Sequence, residues 1–241
     1  MSSRINTILI IGATSGIGEA FACRFHELGK TVIVTGRRQV RLDAMAKELT
    51  GLHIREKSFN FFDQSTSAEQ ITGEITTNLM ASTLLVRLFA PYLSELAKAG
   101  IKTNLFITSS SIAYFPLGFY PAYCSSKAGV HTLAKVLRPQ LSFAPSEVKQ
   151  NMNLVEIVPP YVDTGLDEEH REVVNAIQGG SDEAFRPMPL AEYIEKFFKN
   201  LEQLDPYGSF KKEIAVGFGE QVIDIWRGSL GKLYEQSSLN V

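Results

Sequence analysis

The feature that most constrains the fold is an apolar run followed at once by a glycine-rich loop and a helix pattern. Ile8–Ile11 is short and continuously apolar, which is typical of a strand buried on both faces in a parallel sheet. The loop contains Gly12, Gly16 and Gly18. The helix pattern after it ends at Gly29, and its apolar face is formed by Ala20, Phe21, Phe25 and Leu28. A second strand at Thr31–Thr35 completes a predicted right-handed βαβ unit.

This loop has the composition and position of a phosphate-binding loop. Glycine allows a tight turn and a close backbone approach, and a helix N-terminus offers free N–H groups and the positive end of its dipole to a pyrophosphate. The setting predicts a dinucleotide site, with a purely structural turn as the alternative. The predicted cofactor-binding residues of the loop are Gly12, Thr14, Ser15, Gly16, Ile17 and Gly18.

The residues after the second strand indicate which dinucleotide binds. An acidic side chain there would hydrogen-bond the ribose 2′-hydroxyl of NAD, whereas arginine accommodates the 2′-phosphate of NADP. The chain has Gly36-Arg37-Arg38 and no carboxylate nearby. We therefore predict NADP(H), with Arg37 the stronger candidate and Arg38 beside it. The alternative is that both arginines are surface charges.

The rest of the chain continues the alternation of strands and helices. Net charge is −2 with no basic block, which argues against nucleic acid as a partner. The pattern predicts an α/β, Rossmann-like doubly wound parallel sheet in a single domain, residues 1–241. Its further elements are predicted at Arg41–Leu49 (helix), Leu52–Arg55 (strand), Ala68–Ala99 (helix that Pro91 kinks or divides), Lys102–Thr108 (strand), Tyr120–Leu141 (helix that Pro139 ends or bends), Leu154–Val158 (strand), Asp167–Gln178 (helix), Leu190–Leu204 (helix) and Glu213–Val216 (strand).

A tyrosine and a lysine four residues apart form the candidate catalytic pair. On a helix Tyr123 and Lys127 lie one turn apart on the same face, where the ammonium lowers the pKa of the tyrosine from about 10 toward working pH. Ser110 precedes Tyr123 by thirteen residues and follows the apolar run Leu105–Ile107, which predicts a buried strand. A hydroxyl at a strand end and an acid/base pair at a helix start can converge on one substrate oxygen. Ser109 and Ser111 are alternatives to Ser110.

Taken together, these motifs resemble the short-chain dehydrogenase/reductase family. The glycine loop, Ser110, Tyr123-x-x-x-Lys127 and Pro159–Thr164 occur in the family's order, over most of residues 5–220. The resemblance implies that Tyr123 is the general acid/base, that Lys127 also holds the nicotinamide ribose, and that Ser110 binds the substrate oxygen. It further implies that Asn78 organises a proton-relay water and that Val162 and Thr164 contact the nicotinamide carboxamide. For Asn78 the alternative is a polar residue facing solvent.

The chain departs from the family pattern in two places. Pro159-Pro160 stands where Pro-Gly is usual, so the loop can differ in shape. The Asn-Asn-Ala-Gly motif of the fourth strand is absent, and roughly 30 residues, about one βα unit, are missing before Asn78. We place the seam, the point in the chain where this segment is missing, near Arg55–Ser58. Asp63 then has no cofactor role, although it could be read as the acidic residue after a third strand. The patch Phe59–Phe62 could replace the lost strand.

The leading functional hypothesis is an NADP(H)-dependent oxidoreductase that interconverts a carbonyl and an alcohol. The alternative is a non-catalytic or inactive, shortened nucleotide-binding protein, and an epimerase or dehydratase is a third possibility.

The segment Tyr161–Pro189 is where the family builds its substrate lid, and its composition favours a moderately apolar small molecule as substrate. His170 in this segment is interpreted as a surface residue. The resemblance implies a homo-oligomer, a dimer or a tetramer. Two cysteines form no disulfide framework and residues 8–11 are too short to span a membrane, so we expect a cytoplasmic protein without metal.

Overall fold

A computed structural model describes residues 4–36, 67–166, 171–180 and 185–237. The chain divides into two compact units, residues 1–56 with 161–202 and residues 57–160 with 203–241. The predicted helix Arg41–Leu49, the predicted strand Leu52–Arg55 and the seam near Arg55–Ser58 lie outside the described residues. Each unit is built from parallel strands and helices, which confirms the α/β, Rossmann-like class.

The first unit begins with the predicted βαβ unit. Strand β1 (Thr7–Ile11) pairs in parallel with β2 (Thr31–Thr35), and helix α1 (Gly16–Glu27) connects them. The helix ends as predicted at Gly29, whose φ is +71° and whose N–H donates to the carbonyl of His26. Glycine adopts this left-handed conformation without strain, so the bounds of the unit follow from local sequence.

The burial of β1 differs from the prediction. Leu9 and Ile11 are 40% and 44% exposed, and Ile33 on β2 is 52% exposed, so one face of the strand pair is open rather than buried. The other face packs under α1, through buried Phe21, Ala22 and Phe25. The continuous apolar run therefore correctly predicted a strand, but the prediction that both faces are buried was wrong for the described residues.

Helix α7 supplies the core of this unit. It spans Leu190–Leu201, ending three residues before the predicted Leu204, and buries Tyr193, Phe197 and Phe198. The ring centroids of Phe21 and Phe197 lie 4.4 Å apart, a contact distance for aromatic side chains. The Tyr193 hydroxyl is buried and has no hydrogen-bond partner among the described residues.

The described residues of the segment predicted to be the substrate lid form three short elements. Strand β5 (Val162–Asp163) pairs in parallel with β6 (Met188–Pro189), and helix α6 spans Arg171–Ile177 between them. The predicted acidic helix Asp167–Gln178 is thus confirmed from Arg171 onward. Its first residues, and with them His170, lie outside the described residues.

The second unit contains a three-stranded parallel sheet of order β3-β4-β7. Its strands are β3 (Thr103–Thr108), β4 (Met152–Val158) and β7 (Glu213–Ala215). All three predicted strands are confirmed to within two residues at either end. Because the strands are parallel, the residues that follow them, Ser109, Pro159 and Val216, lie along one edge of the sheet.

A continuous helix from Ala68 to Lys98 packs beside this sheet. It consists of α2 (Ala68–Ile75), a π-helical turn (Thr76–Met80) and α3 (Ala81–Lys98). Pro91 does not divide the helix. Pro91 and Arg87, whose carbonyl loses its usual partner, are both exposed, so water can satisfy that carbonyl. By length and composition this helix could also cross a membrane, and 6% of its most apolar stretch is buried within the part of the chain that the structure describes.

Helix α4 (Pro121–Ser142) lies next to β3 and β4, and the short helix α5 (Ser146–Asn151) leads back into β4. Pro139 sits in the last turn of α4, which ends three residues later. Side chains from the long helix, the sheet and α4 form one apolar cluster: Val86, Ile107, Val130, Ala134 and Leu154. This cluster fixes α4 against the strand ends where the candidate catalytic residues lie.

The C-terminal segment, which the sequence left unplaced, packs on α4. It forms α8 (Phe218–Trp226), a π-helical turn (Arg227–Gly231) and α9 (Lys232–Gln236). The ring of Trp226 lies 3.1 Å from Lys135 Nζ on α4, a cation–π contact. The indole therefore ties the tail to the helix that carries Tyr123.

A buried carboxylate on β7 links the sheet to the two helices beside it. Glu213 accepts hydrogen bonds from Arg138 of α4, at 2.6 Å, and from Arg227. Burial alone would raise the pKa of Glu213, but the two guanidinium charges outweigh it and hold the pKa below its usual value. Glu213 therefore stays ionised and both of its oxygens are used within this triad.

Candidate active site

The glycine loop has the shape that close backbone approach requires. Gly12 and Gly16 have φ of +81° and +54°, values that other residues rarely adopt. A Cβ added to Gly18 would lie 2.4 Å from the carbonyl oxygen of Gly12, far inside contact distance. Each of the three glycines is thus required by the backbone itself, which the spacing in the sequence had indicated.

The surroundings of the loop suit an anionic group. Helix α1 begins at Gly16, and the side chain of its N-cap residue Ser15 makes no capping hydrogen bond, so the first N–H groups of the helix are not satisfied by that side chain. Ile17 is in this first turn. Thr14 is buried against Gly36, where an added Cβ would approach its Cγ2 to 2.5 Å. A helix N-terminus without a side-chain cap, with its dipole, fits a pyrophosphate.

The structure brings one further predicted cofactor residue to this loop. Thr164 packs on Gly16, where an added Cβ would lie 3.3 Å from the Thr164 Cβ, and Val162 is buried in β5 two residues before it. Both belong to the same unit as the loop. Arg37 and Arg38 lie outside the described residues, so their role in choosing NADP remains a prediction.

In the second unit the predicted catalytic residues lie at one edge of the sheet. Ser110 follows β3 and caps a short 3₁₀ helix (Ser111–Ala113), where its hydroxyl accepts from the Ile112 N–H at 3.4 Å. Tyr123 is in the first turn of α4. Lys127 Nζ lies 5.5 Å from the centroid of the Tyr123 ring and donates to the Thr108 carbonyl at 3.2 Å. Tyr123 and Lys127 are thus neighbours, as the four-residue spacing predicted.

Of the two alternatives to Ser110, Ser109 has its hydroxyl held in another interaction. The Ser109 hydroxyl donates to Glu156, and the Ser111 N–H donates to the Pro159 carbonyl at 2.9 Å. Ser109 is 1% exposed, which leaves no surface for a substrate to contact. This burial argues against Ser109 and leaves Ser110 and Ser111 as the candidates.

Asn78 lies in the π-helical turn of the long helix. Such turns occur often at functional sites because they alter the direction of side chains within a helix. Its neighbour Leu79 packs on Gly129 of α4 so closely that a Cβ there would meet the leucine at 2.8 Å. Asn78 itself is half-buried rather than fully solvated, so it is held beside the helix that carries Tyr123 and Lys127.

A polar cluster that the sequence patterns did not predict lies beneath this edge. Glu156 lies inside β4 with no exposed surface, and His131 Nδ1 of α4 lies 2.9 Å and 3.0 Å from its two oxygens. The sequence contains one indication of this cluster, the charged residue Glu156 within the apolar run Leu154–Val158. A carboxylate buried in a strand must be bonded to hydrogen-bond donors. Which residues supply those donors depends on packing between elements far apart in sequence.

Comparison with known proteins identifies the family. The sequence profile described as short chain dehydrogenase matches residues 6–65 and 57–175. An uncharacterized oxidoreductase of Bacillus subtilis, DltE, is 30% identical, with 96% of each chain covered. That alignment spans 264 positions, 23 more than the 241 residues of this chain, so at least that many positions carry no residue of it. The predicted site of a shortening, near Arg55–Ser58, lies outside the described residues, so the shortening stays a prediction.

Solved structures agree on the fold. A short-chain dehydrogenase from Streptomyces avermitilis superposes with a TM-score of 0.65 at 17% identity, covering 99% of this chain and 96% of its own. One from Burkholderia cenocepacia, determined in complex with NADP, gives 0.60 at 15% identity, covering 98% of each chain. The profile match, the DltE similarity and the shared fold show that this chain belongs to the short-chain dehydrogenase family of oxidoreductases.

Proposed function

We propose that the protein is an NADP(H)-dependent oxidoreductase that interconverts a carbonyl and an alcohol at Ser110, Tyr123 and Lys127. The observation that carries the proposal is the position of the Lys127 ammonium, 5.5 Å from the Tyr123 ring, at the strand edge where Ser110 lies. A positive charge so placed favours the phenolate form of the tyrosine, which an acid/base at neutral pH requires.

In the direction of carbonyl reduction, the Ser110 hydroxyl donates a hydrogen bond to the carbonyl oxygen of the substrate. The Tyr123 hydroxyl donates a proton to the same oxygen as negative charge develops there, and Lys127 stabilises the phenolate that remains. A bound nicotinamide would supply the hydride. In the opposite direction, the phenolate of Tyr123 removes the proton of an alcohol. Asn78 is assigned to hold a water that returns the proton.

The experiment that tests this function is a turnover assay on the purified protein. NADPH oxidation is followed at 340 nm with a panel of aldehydes, ketones and 3-oxo acids, and NADP⁺ reduction with the matching alcohols. We expect turnover with at least one moderately apolar member, because Leu166, Phe185 and Met188 of the segment Tyr161–Pro189 are apolar. Binding of NADPH without turnover of any member would instead support a non-catalytic nucleotide-binding protein.

The choice of NADP rests on Arg37. A guanidinium bonded to the 2′-phosphate contributes a charge-assisted hydrogen bond of about 1.5–3 kcal/mol, which is about 10- to 100-fold in affinity. We therefore expect Arg37→Asp to lower the affinity for NADPH by that factor and to leave the affinity for NADH equal or higher. Fluorescence titration with both cofactors measures this. Arg24→Asp on α1 is the control, since Arg24 is paired with Glu27 on the surface. Unchanged NADPH affinity in Arg37→Asp would reject the assignment.

We also propose that the protein is a homo-oligomer formed through the long helix. Four apolar side chains four residues apart make an exposed stripe: Met80 (48% exposed), Leu84 (61%), Leu88 (66%) and Tyr92 (63%). The opposite side of this helix packs on the sheet, and the helix carries Glu69, Arg87 and Glu95, so it is not apolar all round as a membrane-spanning helix would be. A second copy of the chain, presenting the same stripe, would cover it.

This proposal predicts the mass in solution. Sedimentation equilibrium should give a dimer or a tetramer of the 26.7 kDa chain. Leu84→Glu combined with Leu88→Glu should shift the mass toward the monomer, because two carboxylates would then be buried without partners. The pair Glu95→Gln and Lys98→Gln, a surface ion pair on the same helix, should leave the mass unchanged. A monomeric parental protein at micromolar concentration would contradict the proposal.

A further inference from the structure

Among the described residues, Glu156 is the most completely buried charged side chain that the proposed reaction does not use. It lies in the middle of β4 with 0% of its surface exposed. Three side chains bind it: the Ser109 hydroxyl donates to Oε1, the Tyr114 hydroxyl donates to Oε2 at 3.3 Å, and His131 Nδ1 lies 2.9 Å and 3.0 Å from the two oxygens. Burying this carboxylate without donors would cost several kcal/mol of folding free energy, so these three donors are what allows Glu156 to be buried here.

The positions of the protons in this cluster follow from the chemistry of its side chains. With Glu156 as a carboxylate, both of its oxygens face His131 Nδ1, and the tautomer that carries its proton on Nδ1 satisfies them. Burial, and then the charge of Glu156, raise the pKa of Tyr114 well above its usual value, so its hydroxyl remains a donor. Tyr114 also packs on His131, with ring centroids 4.1 Å apart. All three partners therefore donate to one carboxylate, and none competes as an acceptor.

Each donor is adjacent to a segment that carries a residue of the proposed reaction. Ser109 directly precedes Ser110, and its N–H also donates to the Ile157 carbonyl at 2.9 Å. Tyr114 ends the 3₁₀ turn that Ser110 caps. His131 follows Lys127 by four residues on α4, so Tyr123, Lys127 and His131 lie along one side of that helix. Glu156 is thus bonded both to the serine turn and to the tyrosine helix.

We propose that Glu156 is a positioning residue for the reaction. It holds the turn of Ser110 and the helix of Tyr123 and Lys127 in one fixed relation, so that hydroxyl and phenol meet the same substrate oxygen. The inference rests on the proposed function, because it concerns the alignment of those catalytic residues. A displacement of about 1 Å between catalytic groups can lower the rate about 100-fold, which makes such a bond measurable in kcat.

The test compares Glu156→Gln with Glu213→Gln. Glu213 is the matched control because it is also a buried carboxylate and is the register partner of Glu156 on the neighbouring strand. Its bonds go to Arg138, near the C-terminal end of α4, and to Arg227, rather than to the serine turn. Both changes should lower the melting temperature. At a temperature where both variants are folded, Glu156→Gln should lower kcat about 10- to 100-fold with NADPH affinity within about twofold, whereas Glu213→Gln should keep kcat within about threefold.

A second pair decides the question if Glu156→Gln does not fold. Ser109→Ala should lower kcat about 10-fold, and Ser109→Thr, which keeps the hydroxyl, should restore it. The deuterium isotope effect on kcat with NADPH labelled at the transferred hydrogen should increase in Glu156→Gln and Ser109→Ala, since a misaligned proton donor makes the chemical step limiting. A purely structural role would lower stability without changing this isotope effect.

The outcomes separate the inference from the proposed function. Parental kcat and isotope effect in Glu156→Gln or in Ser109→Ala, with Tyr123→Phe inactive, would overturn the positioning role and leave the function standing. An equal loss of kcat in Glu213→Gln would also overturn it, because any buried carboxylate would then matter equally. A parental protein that turns over no member of the panel, or a Tyr123→Phe variant with full activity, would overturn the proposed function and the inference with it.

Discussion

Tyr123→Phe is expected to lower kcat by about 1,000-fold while the protein still folds and binds NADPH. The change removes one hydroxyl from a half-buried ring and leaves the ring beside Lys127 in place. General acid–base catalysis by a positioned side chain contributes about 100- to 10,000-fold, and Phe has no proton to give or accept. Steady-state kinetics with the best member of the carbonyl panel measures the loss, and fluorescence titration measures cofactor binding.

Tyr193→Phe is the matched control for this prediction. Tyr193 is a buried tyrosine in α7 whose hydroxyl has no hydrogen-bond partner among the described residues. Burial raises the pKa of Tyr193 above its usual value, so this phenol is no acid/base at neutral pH. The Tyr193→Phe variant should have the kcat of the parental protein. Its free energy of unfolding should stay equal or rise, because the change removes an unsatisfied buried hydroxyl. Turnover in Tyr123→Phe at the rate of Tyr193→Phe would mean that the reaction occurs elsewhere.

Gly18→Ala is expected to weaken NADPH binding at least about 100-fold and to lower the free energy of unfolding by about 1–3 kcal/mol. The new Cβ would lie 2.4 Å from the Gly12 carbonyl oxygen and 3.3 Å from the Ala13 Cα. Both neighbours are backbone atoms, so no side chain can rotate away, and the loop or α1 must move. That movement displaces the N–H groups that would face the pyrophosphate.

The control for this change is Gly73→Ala, the same substitution inside helix α2. An added Cβ at Gly73 meets no atom within 4 Å, so it should leave NADPH binding unchanged and raise the unfolding free energy by about 0.5–1 kcal/mol through helix propensity. Urea unfolding and NADPH titration of the two variants, side by side, give both quantities. Equal NADPH affinity in Gly18→Ala and the parental protein would exclude this loop as the phosphate site.

Much of the site was predictable because its determinants are local. The glycine spacing requires only a turn between a strand and a helix, and the Tyr123/Lys127 pair requires only that residues 121–142 form a helix. Both arrangements involve contacts within about one helical turn or one loop, where periodicity and residue type decide the outcome. For the same reason the bounds of β2 and α4 were predicted to within a residue or so.

Other features were not predictable because they depend on elements that meet only after folding. Pro91 predicts a break in an isolated helix, yet α3 continues because packing of its buried face outweighs one lost hydrogen bond exposed to water. The open face of Leu9, Ile11 and Ile33 depends on which elements cover the strand pair, and an apolar run carries no information about its neighbours.

The sequence by itself therefore determined the family, and it predicted the phosphate loop and the candidate catalytic trio, because each of these is a short pattern of residue types at a fixed spacing. Only the tertiary structure decided what supports the trio. Ser109, His131 and Glu156 lie 22 to 47 residues apart in the chain. They meet because β3, β4 and α4 pack against each other through an apolar cluster. That packing buries the Glu156 carboxylate, and a buried carboxylate is stable only when hydrogen-bond donors surround it.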